Sequence, residues 1–105
     1  MGRELVEQLR GDGTLTWGAN AIQVRYRVDV YQNWIDDGRS GHIVGRQHVE
    51  ASASGRNRMF LAQAYHARAP LVLQLDDGRR LTCAIQRFEI VDGDVVLAPD
   101  GGGLR

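Results

Sequence analysis

The side chains able to act as nucleophiles, metal ligands or proton carriers are few in this chain of 105 residues: one cysteine, three histidines and some adjacent carboxylates. A cysteine nucleophile needs a thiolate, stabilised by a nearby cation or a helix N-terminus. Cys83 instead stands between Leu81 and Ile85 in an alternating apolar set, which predicts a buried, inert thiol. His42 and His48 fall on one face of one predicted strand, but at ~3.3 Å per residue they are about 20 Å apart, too far for one metal ion. His66 falls near a predicted helix C-terminus, where a cationic side chain is favourable. No CxxC, HExxH or HxH spacing occurs, so no metal site is expected.

Asp36-Asp37 and Asp76-Asp77 both fall in predicted turns, where aspartates accept local backbone hydrogen bonds. An exposed turn supplies neither the desolvation nor the charged neighbour that a general acid needs. Asp92-Gly93-Asp94 begins like a calcium loop but lacks a third oxygen ligand and the closing glutamate. Gly101-Gly102-Gly103 has no following lysine or helix, so it does not make a phosphate loop. Ser40, Ser52 and Ser54 lie in no GxSxG context. The expectation is a chain with no catalytic residue, no cofactor and no metal.

The arginines are the remaining candidates. All thirteen basic residues are arginine, which fits a GC-rich, bacterial-like genome and also suits bidentate contacts to anions. Thirteen acidic residues balance them, so there is no global pull toward nucleic acid or anionic membranes. The candidate ligand or partner face is Arg25, Arg27, Tyr31, Arg46 and His48, on the outward side of two neighbouring strands. Cations beside an aromatic are one way a sheet holds an anion, a nucleotide or a nucleic-acid single strand.

Those residues are placed by the hydrophobic pattern. From Ala21 to Trp34, the residues Ile22, Val24, Tyr26, Val28, Val30 and Trp34 share one parity, broken only by Gln32. That alternation predicts a long antiparallel strand with one buried face. Thr14–Trp17 precedes it across a turn at Gly18-Ala19-Asn20, and His42–Ala51 comes after it, with Gly45 marking a bulge or close approach. A two-residue turn at Asp37-Gly38 pairs residues whose numbers sum to 75, setting Arg25 opposite Glu50, Arg27 opposite His48 and Asp29 opposite Arg46. Such pairs are ordinary sheet stabilisers.

Phe60, Leu61, Ala64 and Tyr65 then form one helical stripe over 57–66, capped by Asn57 or Ser54, with Pro70 biasing Ala69 out of the helix. Leu71, Leu73 and Leu75 alternate, as do Leu81, Cys83 and Ile85. A three-residue loop, Asp76-Asp77-Gly78 with Gly78 left-handed, pairs Leu73 with Leu81 and Leu71 with Cys83. Phe88 and Ile90 have the opposite parity to Ile85, so a bulge is expected near Gln86-Arg87. Val95–Ala98 forms a last strand after Asp92-Gly93. Asp12-Gly13 and Asp100-Gly101 carry the same hairpin cue. Leu5, Val6 and Leu9 in the stretch 3–10 suit a helical turn better than a strand.

The reading is a single small domain over 1–98, mainly β with one short helix, forming a small antiparallel β barrel or roll, followed by a Gly-rich flexible tail over 99–105. Strand-strand-strand-helix-strand-strand is similar to the element order of the OB barrel, with one short strand added; no motif ties the chain to an OB family. A chain with 43 % hydrophobic residues can build a core without a staple. No apolar run nears ~18 residues, and the polar start MGRELVEQLRG is unlike a secretory signal. One cysteine gives no internal disulfide, so a reducing cytoplasm is the expected setting. The expected role is a non-catalytic interaction module that pairs with a protein partner or itself through a sheet edge. The rival is anion, nucleotide or single-stranded nucleic-acid binding on the arginine face.

Overall fold

A computed structural model describes residues 2–36, 42–89 and 91–105. Its elements are β1 (Gly2–Trp17), β2 (Asn20–Asp36), β3 (His42–Ser54), α1 (Arg58–Ala67), β4 (Leu71–Gln74), β5 (Arg80–Glu89) and β6 (Asp94–Leu104). Every strand pairing is antiparallel, and the sheet closes on itself in the order β1-β2-β3-β6-β5-β4. The protein is therefore mainly β with one short helix, as the alternation predicts. The helix falls between the third and fourth strands, and the added sixth strand sits between β3 and β5. No helix is long and apolar enough to cross a membrane among the described residues.

β2 supplies the spine. Val24, Tyr26, Val28 and Val30 are buried inside the ring with Leu15, Ala51, Leu73, Leu81, Cys83 and Leu97 from the other strands. The helix covers one end: Phe60, Leu61 and Ala64 are buried, and the Phe60 ring meets Trp17 edge-on at 6.2 Å. Asn57 caps α1, its side-chain oxygen accepting from the Phe60 N–H at 3.1 Å. At the other end of α1, Arg68 takes the left-handed conformation (φ 50°), so that its N–H reaches the Tyr65 carbonyl and the Ala69 N–H reaches that of Ala64. This is the Schellman arrangement, usually built with glycine.

The β4–β5 hairpin keeps its predicted register, Leu73 opposite Leu81 and Leu71 opposite Cys83, with Gly78 at φ 92°. The bulge in β5 falls between Ile85 and Arg87, as parity requires. Gly45 also lies at a bulge, where Gln32 donates its side-chain amide to the Gly45 carbonyl at 2.7 Å. Ile90 and the Asp37-Gly38 site lie outside the described residues.

Four expectations need correction. The stretch 3–10 is strand, not a helical turn: β1 runs unbroken from Gly2, paired with β2. A bulge between Leu5 and Glu7 explains the misleading pattern, because Val6 is the extra residue and switches the parity of the residues after it. Second, β2 and β3 pair with numbers summing to 79 over Arg25–Gln32, not 75. Their last pair is Asp36 with His42, which leaves five residues in the connection instead of two. Third, Asp12-Gly13 and Asp100-Gly101 lie within β1 and β6 and do not make hairpin turns. Fourth, β6 continues through the expected tail: Leu104 stands opposite Leu81, and Arg105 and Arg80 exchange backbone hydrogen bonds of 2.9 and 2.8 Å.

Gly13 has a different task from turning the chain. Tyr26 stands opposite Gly11, its ring passes over Gly13, and its hydroxyl donates to Asp76 of the β4–β5 turn at 2.6 Å. A Cβ on Gly11 would stand 2.6 Å from the Asp76 carboxylate; one on Gly13 would stand 2.5 Å from the Gln74 carbonyl and 3.0 Å from the Tyr26 ring. The two glycines thus let an interior tyrosine reach across β1 where β1 meets β4. Burial, then the Asp76 hydrogen bond, raises the Tyr26 pKa above its ordinary value of 10.0. The neutral phenol therefore stabilises the folded state, and that stability is lost as pH rises beyond about 10.

Substitutions at the crossing and at the helix cap test this packing. In urea unfolding, Gly13→Ala should cost about 2 kcal/mol through overpacking, and Tyr26→Phe about 1.5–3 kcal/mol through loss of a hydrogen bond to a carboxylate. Tyr26→Phe should also flatten the alkaline loss of stability. A native midpoint for Gly13→Ala would exclude the crossing. Conversely, Arg68→Gly should stabilise the protein by about 0.5–1 kcal/mol, because glycine carries no Cβ penalty at positive φ. A lower midpoint for that variant would contradict the cap.

Candidate functional site

The four-residue change of register splits the five residues of the predicted face into two groups. Arg25 and Arg27 remain together, now opposite Ser54 and Ser52, while His48 stands opposite Tyr31 instead of Arg27. Arg46 lies still further along β3, toward its start. The pairings of Arg25 with Glu50, Arg27 with His48 and Asp29 with Arg46 are thus replaced. Arg25, Arg27, Tyr31 and His48 keep their common outward face, because both registers set odd positions against even ones there, whereas Arg46 lies at the β3 bulge, beyond which the paired numbers sum to 78.

The group around Tyr31 and His48 lies where β1, β2 and β3 run on beyond the closed ring. The Arg3 guanidinium sits 3.9 Å above the Tyr31 ring and donates to Glu50 at 2.8 Å. His48 Nε2 lies 3.5 Å from the same carboxylate, and its ring is 6.3 Å from that of Tyr31. Four side chains from three strands therefore satisfy one another. Arg46 is exposed and has no ion-pair partner among the described residues.

The group around Arg25 and Arg27 lies on the outer wall of the ring. Arg27 pairs with Asp29 at 3.2 Å, and Gln8 donates to Asp29 at 3.0 Å, covering an aspartate that is only 8 % exposed. Arg25 meets Asp12 at 3.8 Å, with both side chains well exposed. Two further arginines join this wall. Arg10 stands directly opposite Arg27, and Arg87 stands opposite Val96, itself opposite Ser52. A shallow concavity is lined by Arg10, Arg25, Arg27, Ser52, Arg87 and Asp94. Arg10 escaped the sequence reading because the β1 bulge disguised its strand. Arg87 escaped because a bulge predicts a change of face but not which strand lies alongside.

A third cluster joins the ring to its extension. Arg79 reaches Glu7 at 2.9 Å and Asp77 at 2.8 Å. Hydrogen bonds from Arg79 hold the Asp77 carboxyl below its ordinary value, and Glu7, then Asp77, raises the Arg79 guanidinium. Asp77 thus does turn chemistry, accepting from the Arg79 N–H at 2.9 Å.

The strand edges complete the site. β6 pairs with β3 only over Ala51–Ser54, and β4 pairs with β1 only over Thr14–Thr16. Residues 42–50 of β3 therefore have β2 on one side and no strand on the other among the described residues. The edge of β1 is partly covered, with Asp76 against Gly11 and Arg79 on Glu7, but Leu5 and Val6 remain 47 % and 49 % exposed.

Cys83 is 2 % exposed, and burial pushes its thiol up to about 12. His66 lies in the last turn of α1, edge-on to Tyr65 at 5.6 Å. Among the described residues no three His, Cys, Asp or Glu side chains converge in a group able to hold a metal ion. Comparison of the chain with protein-family models, curated proteins and solved structures found no match.

Because only thiolate attacks a disulfide reagent, Cys83 should react slowly in native protein and rapidly in denaturant. Equal rates in the two conditions would contradict its burial.

Proposed function

We propose that the protein is a non-catalytic interaction module that takes an extended segment of another polypeptide along the open edge of β3. The observation that carries this reading is the outer edge of residues 42–50, which pair with β2 on one side and with no strand on the other among the described residues, because β6 joins β3 only over Ala51–Ser54. An edge strand presents a row of free N–H and C=O groups, and an added strand gains affinity from those main-chain bonds. Side chains give the preference. Arg46 is exposed without an ion-pair partner among the described residues, so a strand carrying a carboxylate opposite it is favoured. Glu50 already has Arg3 and His48, which makes a further cation there less rewarding. The charges along this edge also discourage indiscriminate pairing. A cytoplasmic setting fits the single buried thiol.

The non-catalytic part of the reading is supported by the state of the candidate groups. Asp29 and Glu50 face each other across β2 and β3, yet each is held by its own arginine. The thiol has a raised pKa and no access.

The test uses synthetic alternating Val-Glu and Val-Lys peptides, monitored by backbone NMR, with sedimentation across a concentration series. Shifts confined to residues 42–50, stronger with Val-Glu and lost in Arg46→Glu, are expected. Concentration-dependent dimerisation with the same shifts also supports edge pairing, with a second copy as the strand donor. Equal shifts with both peptides, shifts centred elsewhere, or silence from both peptides in a strictly monomeric protein would overturn the reading.

A further inference from the structure

The outer wall of the ring carries a second feature, independent of the β3 edge. Reading directly across the strands, one row runs Arg10, Arg27, Ser52, Val96, Arg87. It holds three guanidiniums and no carboxylate. The row on one side runs Gln8, Asp29, Glu50, with two carboxylates and no cation. The row on the other side runs Asp12, Arg25, Ser54, Asp94, Glu89, with three carboxylates and one guanidinium. Rows two residues apart are separated by about 7 Å along the strand. The outer face is thus a row of guanidiniums between two rows richer in carboxylates, of which Asp29 is held by Arg27, Glu50 by Arg3 and Asp12 loosely by Arg25.

Like charges directly opposite in a sheet destabilise it. Arg10 and Arg27 are such a pair, and Arg10 has no ion-pair partner among the described residues. Arg27 and Arg87 flank a floor made of Ser52 and Val96, both half-buried. At ~4.8 Å per strand they stand about 14 Å apart measured along the curved sheet, and both line the same shallow concavity. The Arg87 contact to Glu89 is long, at 3.7 Å, and both groups are well exposed. Exposed pairs of this kind are weak, so a multivalent anion displaces them readily.

From this geometry we infer that the row Arg10, Arg27, Arg87 binds a linear chain of phosphates, such as tripolyphosphate or the triphosphate of a nucleotide. Guanidiniums pair with successive phosphate oxygens in forked geometry, and the Ser52 hydroxyl on the floor adds a donor. A line of anionic groups fits the row. A broad anionic surface meets the flanking carboxylates and is repelled.

The experiment is calorimetric titration of the full chain with orthophosphate, tripolyphosphate and ATP, without divalent metal, at low and at physiological salt. Tripolyphosphate should bind roughly tenfold tighter than orthophosphate, because each added charge-assisted contact contributes, and both should weaken with salt. Arg10→Gln should weaken tripolyphosphate about fivefold or more by removing one such contact, while Arg56→Gln, in the β3–α1 connection, should leave it unchanged. Arg10→Gln should also raise the unfolding midpoint of the free protein, since it removes a like-charge pair. Equal affinities for ATP and tripolyphosphate support a site for the phosphate chain. Binding of ATP alone, affinity unaltered in Arg10→Gln, or no binding at millimolar ligand would overturn the inference.

Discussion

The ring depends on one side chain crossing a strand that has no side chains in its way. Tyr26 starts on the interior face of β2, passes over β1 at Gly11 and Gly13, and donates to Asp76 beyond it. β1 and β4 meet through only three paired residues on each strand. That short seam is reinforced by a buried aromatic ring and a hydrogen bond to a carboxylate, a stronger type than one between neutral groups. The glycines carry the cost in backbone freedom. No buried side-chain polar atom is left without a partner among the described residues, so closing the seam leaves no desolvated group unpaired.

A second constraint is one of length. β1, β2 and β3 have 16, 17 and 13 residues, whereas β4 has four and β5 ten. Short partners cannot cover long strands. The surplus emerges opposite the helix-covered end as a three-stranded extension, and the protein measures 53 × 26 × 24 Å. The extension keeps its own order through Arg3, which binds the Tyr31 face and the Glu50 carboxylate together. The same mismatch leaves the β3 edge open, which is why the proposed interaction role rests on strand length as much as on any particular residue.

Charge placement separates two surfaces that composition merges. The chain is formally neutral, yet its arginines are not evenly neutralised. Arg79 is locked between Glu7 and Asp77, Arg3 is committed to Glu50, and Arg10 faces Arg27. An arginine count therefore carries little information about binding. What matters is which arginines the strand register leaves beside each other.

Much of the fold was legible in the sequence because local constraints suffice for it. Strict alternation in β2 places its inner face, the parity of two leucine runs together with the short Asp76-Asp77-Gly78 loop between them selects the register of the β4–β5 hairpin, and Asn57 with Pro70 brackets the helix. Cys83 was recognisable as a core residue for the same reason. Only the tertiary structure decided what depends on relations between distant strands. A one-residue bulge at Val6 turned β1 into an apparent helical stripe, and the five-residue β2–β3 connection moved β3 by four positions, separating Arg46 and His48 from Arg25 and Arg27. The arginine row exists only because the bulged β1 pairs in register with β2, and β6 brings β5 alongside β3. Alternation reports which face a residue occupies, since that is a property of one strand. It is silent on which residues stand opposite, because any shift by an even number of positions buries the same face.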